Sequence, residues 1–177
     1  MPPIFLIVGA PAVGKSTTSR AVAESFPRSI HIPVDTIRHM VVSDMAMPST
    51  TWSAALVEQV GLARTNVIRM ALDYHQAGFA VVVDDFFDPH HCAEYQVLRG
   101  HPDVVKVVLF PSQDEAHQRN FRRAGDDPFR LLLDEGIRDV YQNLRSAQPE
   151  LLADGWRMLD TTSMRLEDVT AAILAIP

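Results

Sequence analysis

Cysteine is nearly absent from this chain: Cys92 is the one thiol in 177 residues. No disulfide can close within the chain, which excludes a small cystine-stapled scaffold and fits a reducing compartment. Lysine is scarce too, with only Lys15 and Lys106 beside 14 arginines. The formal net charge of −6 denies the protein a general basic footprint for duplex nucleic acid and leaves room only for a local basic groove. Long hydrophobic runs are missing. The first apolar stretch, Ile4 to Val8, is too short for a signal peptide or a membrane span and has no basic residues before it. Internal repeats and low-complexity segments are missing as well. These absences lead to the expectation of a soluble, cytoplasmic protein.

The composition that remains is ordinary for a globular chain, with 47% hydrophobic and 21% charged residues. The length suits one domain, and no linker divides residues 1–177. Apolar runs alternate with helical patterns. Strands are predicted at Ile4–Val8, Ser29–Val34, Phe79–Val83, Val104–Phe110 and Trp156–Leu159. Helices are predicted at Lys15–Phe26, from Asp35 to a break near Met47-Pro48-Ser49, and at Trp52–Gln76, stopped by Gly78. Further helices are expected from Asp88-Pro89 to Leu98, at Ser112–Arg123, at Phe129–Arg145 and at Leu166–Ile176. Five strands alternating with helices imply an α/β fold with a parallel sheet covered on both faces.

Gly9-Ala10-Pro11-Ala12-Val13-Gly14-Lys15-Ser16 matches G-x-x-x-x-G-K-[ST] at every fixed position, between a buried strand and a helix. The glycines let the backbone turn tightly, so successive N–H groups point inward at phosphate oxygens. The following helix, whose first turn holds Lys15, Ser16 and Thr17, presents its positive end to the same anion. Lys15 supplies a point charge to the terminal phosphates, and Ser16 offers a hydroxyl to Mg2+. The chain is therefore expected to bind a nucleoside triphosphate, ATP in the reading adopted here. Neither lysine lies in the N-K-x-D pattern that reads guanine, and the length does not suit a large motor. A kinase with a hydroxyl-bearing acceptor fits best; a non-catalytic nucleotide-binding protein is the alternative.

Three further segments speak to the acceptor. Asp35 falls at the end of the second predicted strand, on the edge of a parallel sheet where ligands bind. A carboxylate there can take the proton of an attacking hydroxyl, and Arg38, one helical turn on, can hold the acceptor. The third strand ends in Asp84-Asp85; Asp85 is expected to serve Mg2+, with Asp84 and Phe86 meeting the acceptor. Core packing is the expected part for Trp52, Phe86, Phe87 and Cys92, with lining of an acceptor pocket as the alternative for the three aromatics. Arg119, Arg122 and Arg123 stand at i, i+3 and i+4 and predict one basic face before Gly125 and Pro128. Arginines on a mobile element of about 113–128 suit a lid that clamps a transferring phosphoryl group, with Arg122 in the catalytic role and Arg119 and Arg123 on the nucleotide. The seven histidines show no metal spacing in sequence.

With these segments together, the chain resembles the small P-loop kinase group, which includes polynucleotide 5′-kinases, chloramphenicol phosphotransferases, gluconate-type kinases and zeta-type toxin kinases. The resemblance covers nearly the whole order of elements and implies a three-layer α/β/α sandwich with strand order 2-3-1-4-5. Asp35-x-x-Arg38 and the region from Arg119 to Arg122 look like a polynucleotide kinase. In that family the Asp is the base, the Arg holds a substrate phosphate, and the lid arginine contacts the transferring phosphate. Asp84-Asp85-Phe86-Phe87 is closer to chloramphenicol phosphotransferases, which lack the arginine after the catalytic Asp. The resemblance thus leaves a small molecule and a 5′-hydroxyl nucleic-acid end both open as acceptors. Asp160-Thr161-Thr162 resembles the adenine-side loop, which implies a nucleotide contact at Thr161.

Overall fold

A computed structural model describes residues 1–47, 52–89, 91–125, 127 and 129–177. The break expected at Pro48 and Ser49, Asp126 and Pro128 at the end of the expected lid element, and His90 lie outside the described residues.

The strands are β1 (Ile4–Gly9), β2 (Ser29–Pro33), β3 (Ala80–Phe86), β4 (Val104–Leu109) and β5 (Arg157–Leu159). They form one parallel sheet in the order β2-β3-β1-β4-β5, as the resemblance implied. The helices are α1 (Lys15–Glu24), α2 (Val34–Arg38), α3 (Ala54–Gln76), α4 (Gln96–Arg99), α5 (Gln113–Ala124), α6 (Phe129–Ala153) and α7 (Leu166–Leu174). β1 is buried along its whole length, because it is central and both faces are covered; this is why Ile4–Val8 reads as an unbroken apolar run.

Four expectations are corrected. The helix expected from Asp35 to near Met47 is only the short α2, which ends at Arg38. The third strand runs on to Phe86, so both acids lie within it; pairing with β1 extends the ladder through Ile7–Asp84 and Val8–Asp85. The helix expected from Asp88 is instead a loop, a 3₁₀ turn at Ala93–Tyr95 and the short α4. The carbonyls of Phe86, at the end of β3, and of His91, in the loop, accept from the Arg64 guanidinium, which holds this stretch out of helical form. Helix α6 continues past Arg145 and through Pro149. Its buried stripe of Ile137, Val140, Tyr141, Leu144, Ala147 and Leu151 keeps helical spacing across the proline, so packing outweighs the lost backbone bond. Among the described residues no helix is long and apolar enough to cross a membrane.

Candidate active site

The phosphate loop joins β1 to α1 in the conformation its glycines suggest. Gly9 has φ +152°, and a Cβ there would stand 2.7 Å from the Leu109 carbonyl oxygen, so β4 approaches too closely for a side chain. Gly14, at φ 95°, caps the N-terminus of α1, and Ala12 is also left-handed at φ 62°. Lys15 folds back over the loop and donates to the Ala10 carbonyl at 2.8 Å. Burial lowers its pKa, against the pull of Asp84, Asp35 and Asp85.

Consecutive residues of a strand point to opposite faces, and this separates the two acids of β3. Asp84 faces α1: its Oδ1 accepts from the Ser16 hydroxyl at 3.0 Å, and its Oδ2 meets His31 Nε2. Asp85 faces α3, where it accepts from Arg64 Nε at 2.7 Å and from the Tyr95 hydroxyl at 2.9 Å. Burial pushes the Asp85 carboxyl up to about 6 against the pull of Arg64. The expected assignment is therefore reversed: Asp84, not Asp85, stands beside Ser16, and Asp85 is committed to a buried ion pair. Two hard oxygen donors, the Ser16 hydroxyl and the Asp84 carboxylate, fit a small hard cation such as Mg2+.

The loop opens into a cleft of about 630 Å³ that is also lined by Asp35, Arg38, Trp52, Phe86, Asp88 and Asn143. Asp35 is exposed to this cleft on the first turn of α2, while Arg38 is buried with its Nη1 3.7 Å from Asp35 Oδ1. Arg38 Nη2 donates to the Ala46 carbonyl at 3.1 Å, and its buried Nε has no hydrogen-bond partner among the described residues. Trp52 stacks on Phe86 and on His91, with centroid distances of 5.7 and 4.6 Å, and forms an aromatic wall. Phe87 points the other way into the core against Trp156. Cys92 is buried, as expected, with its thiol on the Pro89 carbonyl.

The three arginines of α5 do not form one face toward the loop. Arg119 donates to the Val13 carbonyl at 3.1 Å and to the Thr161 carbonyl at 3.0 Å, and so ties the phosphate loop to the segment after β5. Thr161 is buried, and its hydroxyl has no hydrogen-bond partner among the described residues. Arg123 lines the cleft, where its charge opposes that of Lys15. Arg122 is exposed and held by Glu115 among residues outside the cleft, so the expected catalytic placement of Arg122 is corrected. The helix periodicity holds, but of the three only Arg123 lines the cleft, while Arg119 is engaged with the backbone of the loop and Arg122 points away.

Two contributors escaped sequence reasoning. His31, which reaches Asp84, left only its place in β2 as a signal. Arg64 left a clearer one: it is a charge on the apolar stripe of α3, between Val60, Val67 and Ala71. A buried arginine demands acceptors, and here they are Asp85, Phe86 O, His91 O and Glu94.

Residues 4–144 match the family described as the AAA domain. The chain belongs to the AAA domain family. No curated protein sequence matches this family member. Its fold is shared with small P-loop kinases. An Acinetobacter baumannii shikimate kinase in complex with shikimate is 17% identical, with a TM-score of 0.65 over 98% of this chain and 92% of that one. A Janibacter sugar kinase is 15% identical at a TM-score of 0.70, over 98% and 93%. A Sinorhizobium meliloti gluconokinase is 17% identical at a TM-score of 0.63, over 98% and 90%.

Proposed function

We propose that this AAA domain protein is an ATP-dependent kinase that phosphorylates a hydroxyl group of a small molecule. The observation that carries the reading is the complete phosphate loop, with Ser16 on the buried Asp84, opening into the cleft that also holds Asp35 and Arg38. The loop amides of Gly9 to Thr17 and Lys15 hold the phosphates, with Arg119 bracing the loop and Thr161 lying beside the nucleotide. Ser16 and Asp84 would hold Mg2+, which supplies charge neutralisation at the phosphates. Asp35 accepts the proton of the acceptor hydroxyl as its oxygen bonds to the γ-phosphorus; the bond from that phosphorus to its bridging oxygen breaks, and ADP leaves. Arg38 orients the acceptor, and Arg123 faces the γ-phosphate as part of a closing α5 segment.

A small acceptor is favoured over a nucleic-acid end by the charges around it. Among the described residues, Asp35, Asp88 and Asp139 line the same cleft as Arg38. A chain of phosphates meets net repulsion there, whereas the stacked Trp52 and Phe86 suit a flat apolar portion. The sugar, shikimate and gluconate kinases of the same fold support the same reading.

The test is a screen of hydroxylated small molecules and 5′-hydroxyl oligonucleotides that reads ADP release, with Lys15→Ala and Asp35→Asn beside the native protein. Acceptor-dependent ADP release that falls by at least about 100-fold in Asp35→Asn is expected. Nucleotide binding that survives Asp35→Asn, with no acceptor-dependent release from the native protein, would identify a regulatory nucleotide-binding protein instead.

A further inference from the structure

We propose that His75, His101 and Asp103 form a binding site for a transition-metal cation of the zinc class, at the end of the sheet opposite the phosphate loop. The proposal is independent of the kinase reading. No spacing in the sequence brings these residues together; the fold does, by placing the last turn of α3 beside the segment that leads into β4. One ligand atom from each residue lies within 4.8 Å of the others.

The distances suit the chemistry. Zinc bound at about 2.0–2.1 Å by nitrogen and oxygen in a tetrahedron sets neighbouring ligand atoms about 3.3 Å apart. His75 Nε2 and Asp103 Oδ2 stand 3.3 Å apart. The His75 ring is 1% exposed, so its direction is set by packing before any ligand arrives. The His101 ring meets it edge to face at 5.1 Å. Asp103 is tied to His101 through its own backbone N–H, 3.2 Å from Nδ1, so the carboxylate is held near both rings. Two imidazoles and one carboxylate are a zinc-type donor set, with the fourth position left to water.

His75 Nε2 also lies 2.8 Å from the Pro2 carbonyl oxygen. Without metal this nitrogen carries the proton and donates to Pro2. Ligation needs the proton moved to Nδ1 or released, which leaves the Pro2 carbonyl to another donor or to the ion. The position matters for the fold: Asp103 also accepts from the Ile4 N–H at 2.9 Å through its backbone carbonyl. A bound ion would join the end of α3 to the segment that leads into β4. It would stiffen the central strand at its far end from Gly9.

The experiment is calorimetric titration of chelator-stripped full-length protein with zinc chloride, for the native chain and for His101→Ala, Asp103→Asn and Asp84→Asn. The native chain should take up one equivalent with micromolar or tighter affinity. His101→Ala and Asp103→Asn should each weaken it by at least about 10-fold, while Asp84→Asn should retain it. Zinc at about 100 times Kd should raise Tm by about 5–10 °C in the native chain and not in His101→Ala. Co2+ added to the native chain should show the intense visible bands of a tetrahedral nitrogen–oxygen site, a readout that needs no variant. The proposal is overturned if zinc does not bind at micromolar concentrations. It is also overturned if binding is lost in Asp84→Asn but kept in the other two, which would put the ion in the phosphate cleft.

Discussion

The Asp85 carboxyl should make folding stability depend on pH in a direction opposite to that of most acids. Its side chain is fully buried against Arg64 and Tyr95, and burial raises its pKa from the ordinary 3.8 to about 6. Between those values the folded chain keeps a proton that the unfolded chain has released. Stability from this group is therefore fully present below pH 3.8 and is lost as pH rises through about 6. At 1.36 kcal/mol per tenfold the whole loss is about 3 kcal/mol, of which about 2 kcal/mol falls between about pH 4.5 and 7. Glu115, Asp134, Asp154 and Asp160 are held below their ordinary values, so their contributions change at more acid pH. Asp85→Asn imitates the protonated acid and still accepts from Tyr95, so the native-minus-variant difference isolates the group. Urea unfolding followed by the fluorescence of Trp52 and Trp156 should show that difference moving by about 1 M in midpoint across the window, taking m near 2 kcal/mol/M. A difference that stays flat from about pH 4.5 to 7 would refute the claim that Asp85 is desolvated more than Arg64 repays.

The two acids of β3 should separate in assays of turnover and stability. Asp84→Asn should lower magnesium-dependent turnover by about 10–100-fold or more with little loss of stability, read by steady-state kinetics and thermal melting. Replacing Arg64 by Met at neutral pH should instead destabilise the protein by about 3–5 kcal/mol, since it leaves Asp85 buried without its cation. Arg119→Ala should weaken nucleotide binding, measured by fluorescent-nucleotide displacement, because it releases the phosphate loop from the Thr161 segment; Arg122→Ala should leave it within about 2-fold, as an exposed pair with Glu115 contributes little.

The sequence by itself determined the layered α/β fold and the nucleotide loop. Both rest on local signals: an apolar run such as Ile4–Val8 has the right length only for a buried strand, and the fixed positions from Gly9 to Ser16 specify a backbone shape. The strand order came with the resemblance that this loop carries, and the sheet has it. The tertiary structure decided which side each functional group faces. Asp84 and Asp85 are neighbours in sequence with the same chemistry, and only the helices packed on the two faces of β3 tell them apart. Arg122 and Arg123 are likewise adjacent, and only the line of the cleft along α5 leaves one outside it. The same holds at the far end of the sheet, where His75 and His101 meet because α3 ends where β4 begins. Periodicity fixes a side chain's angle about its own helix or strand, but what stands opposite is set by long-range packing that no local window contains.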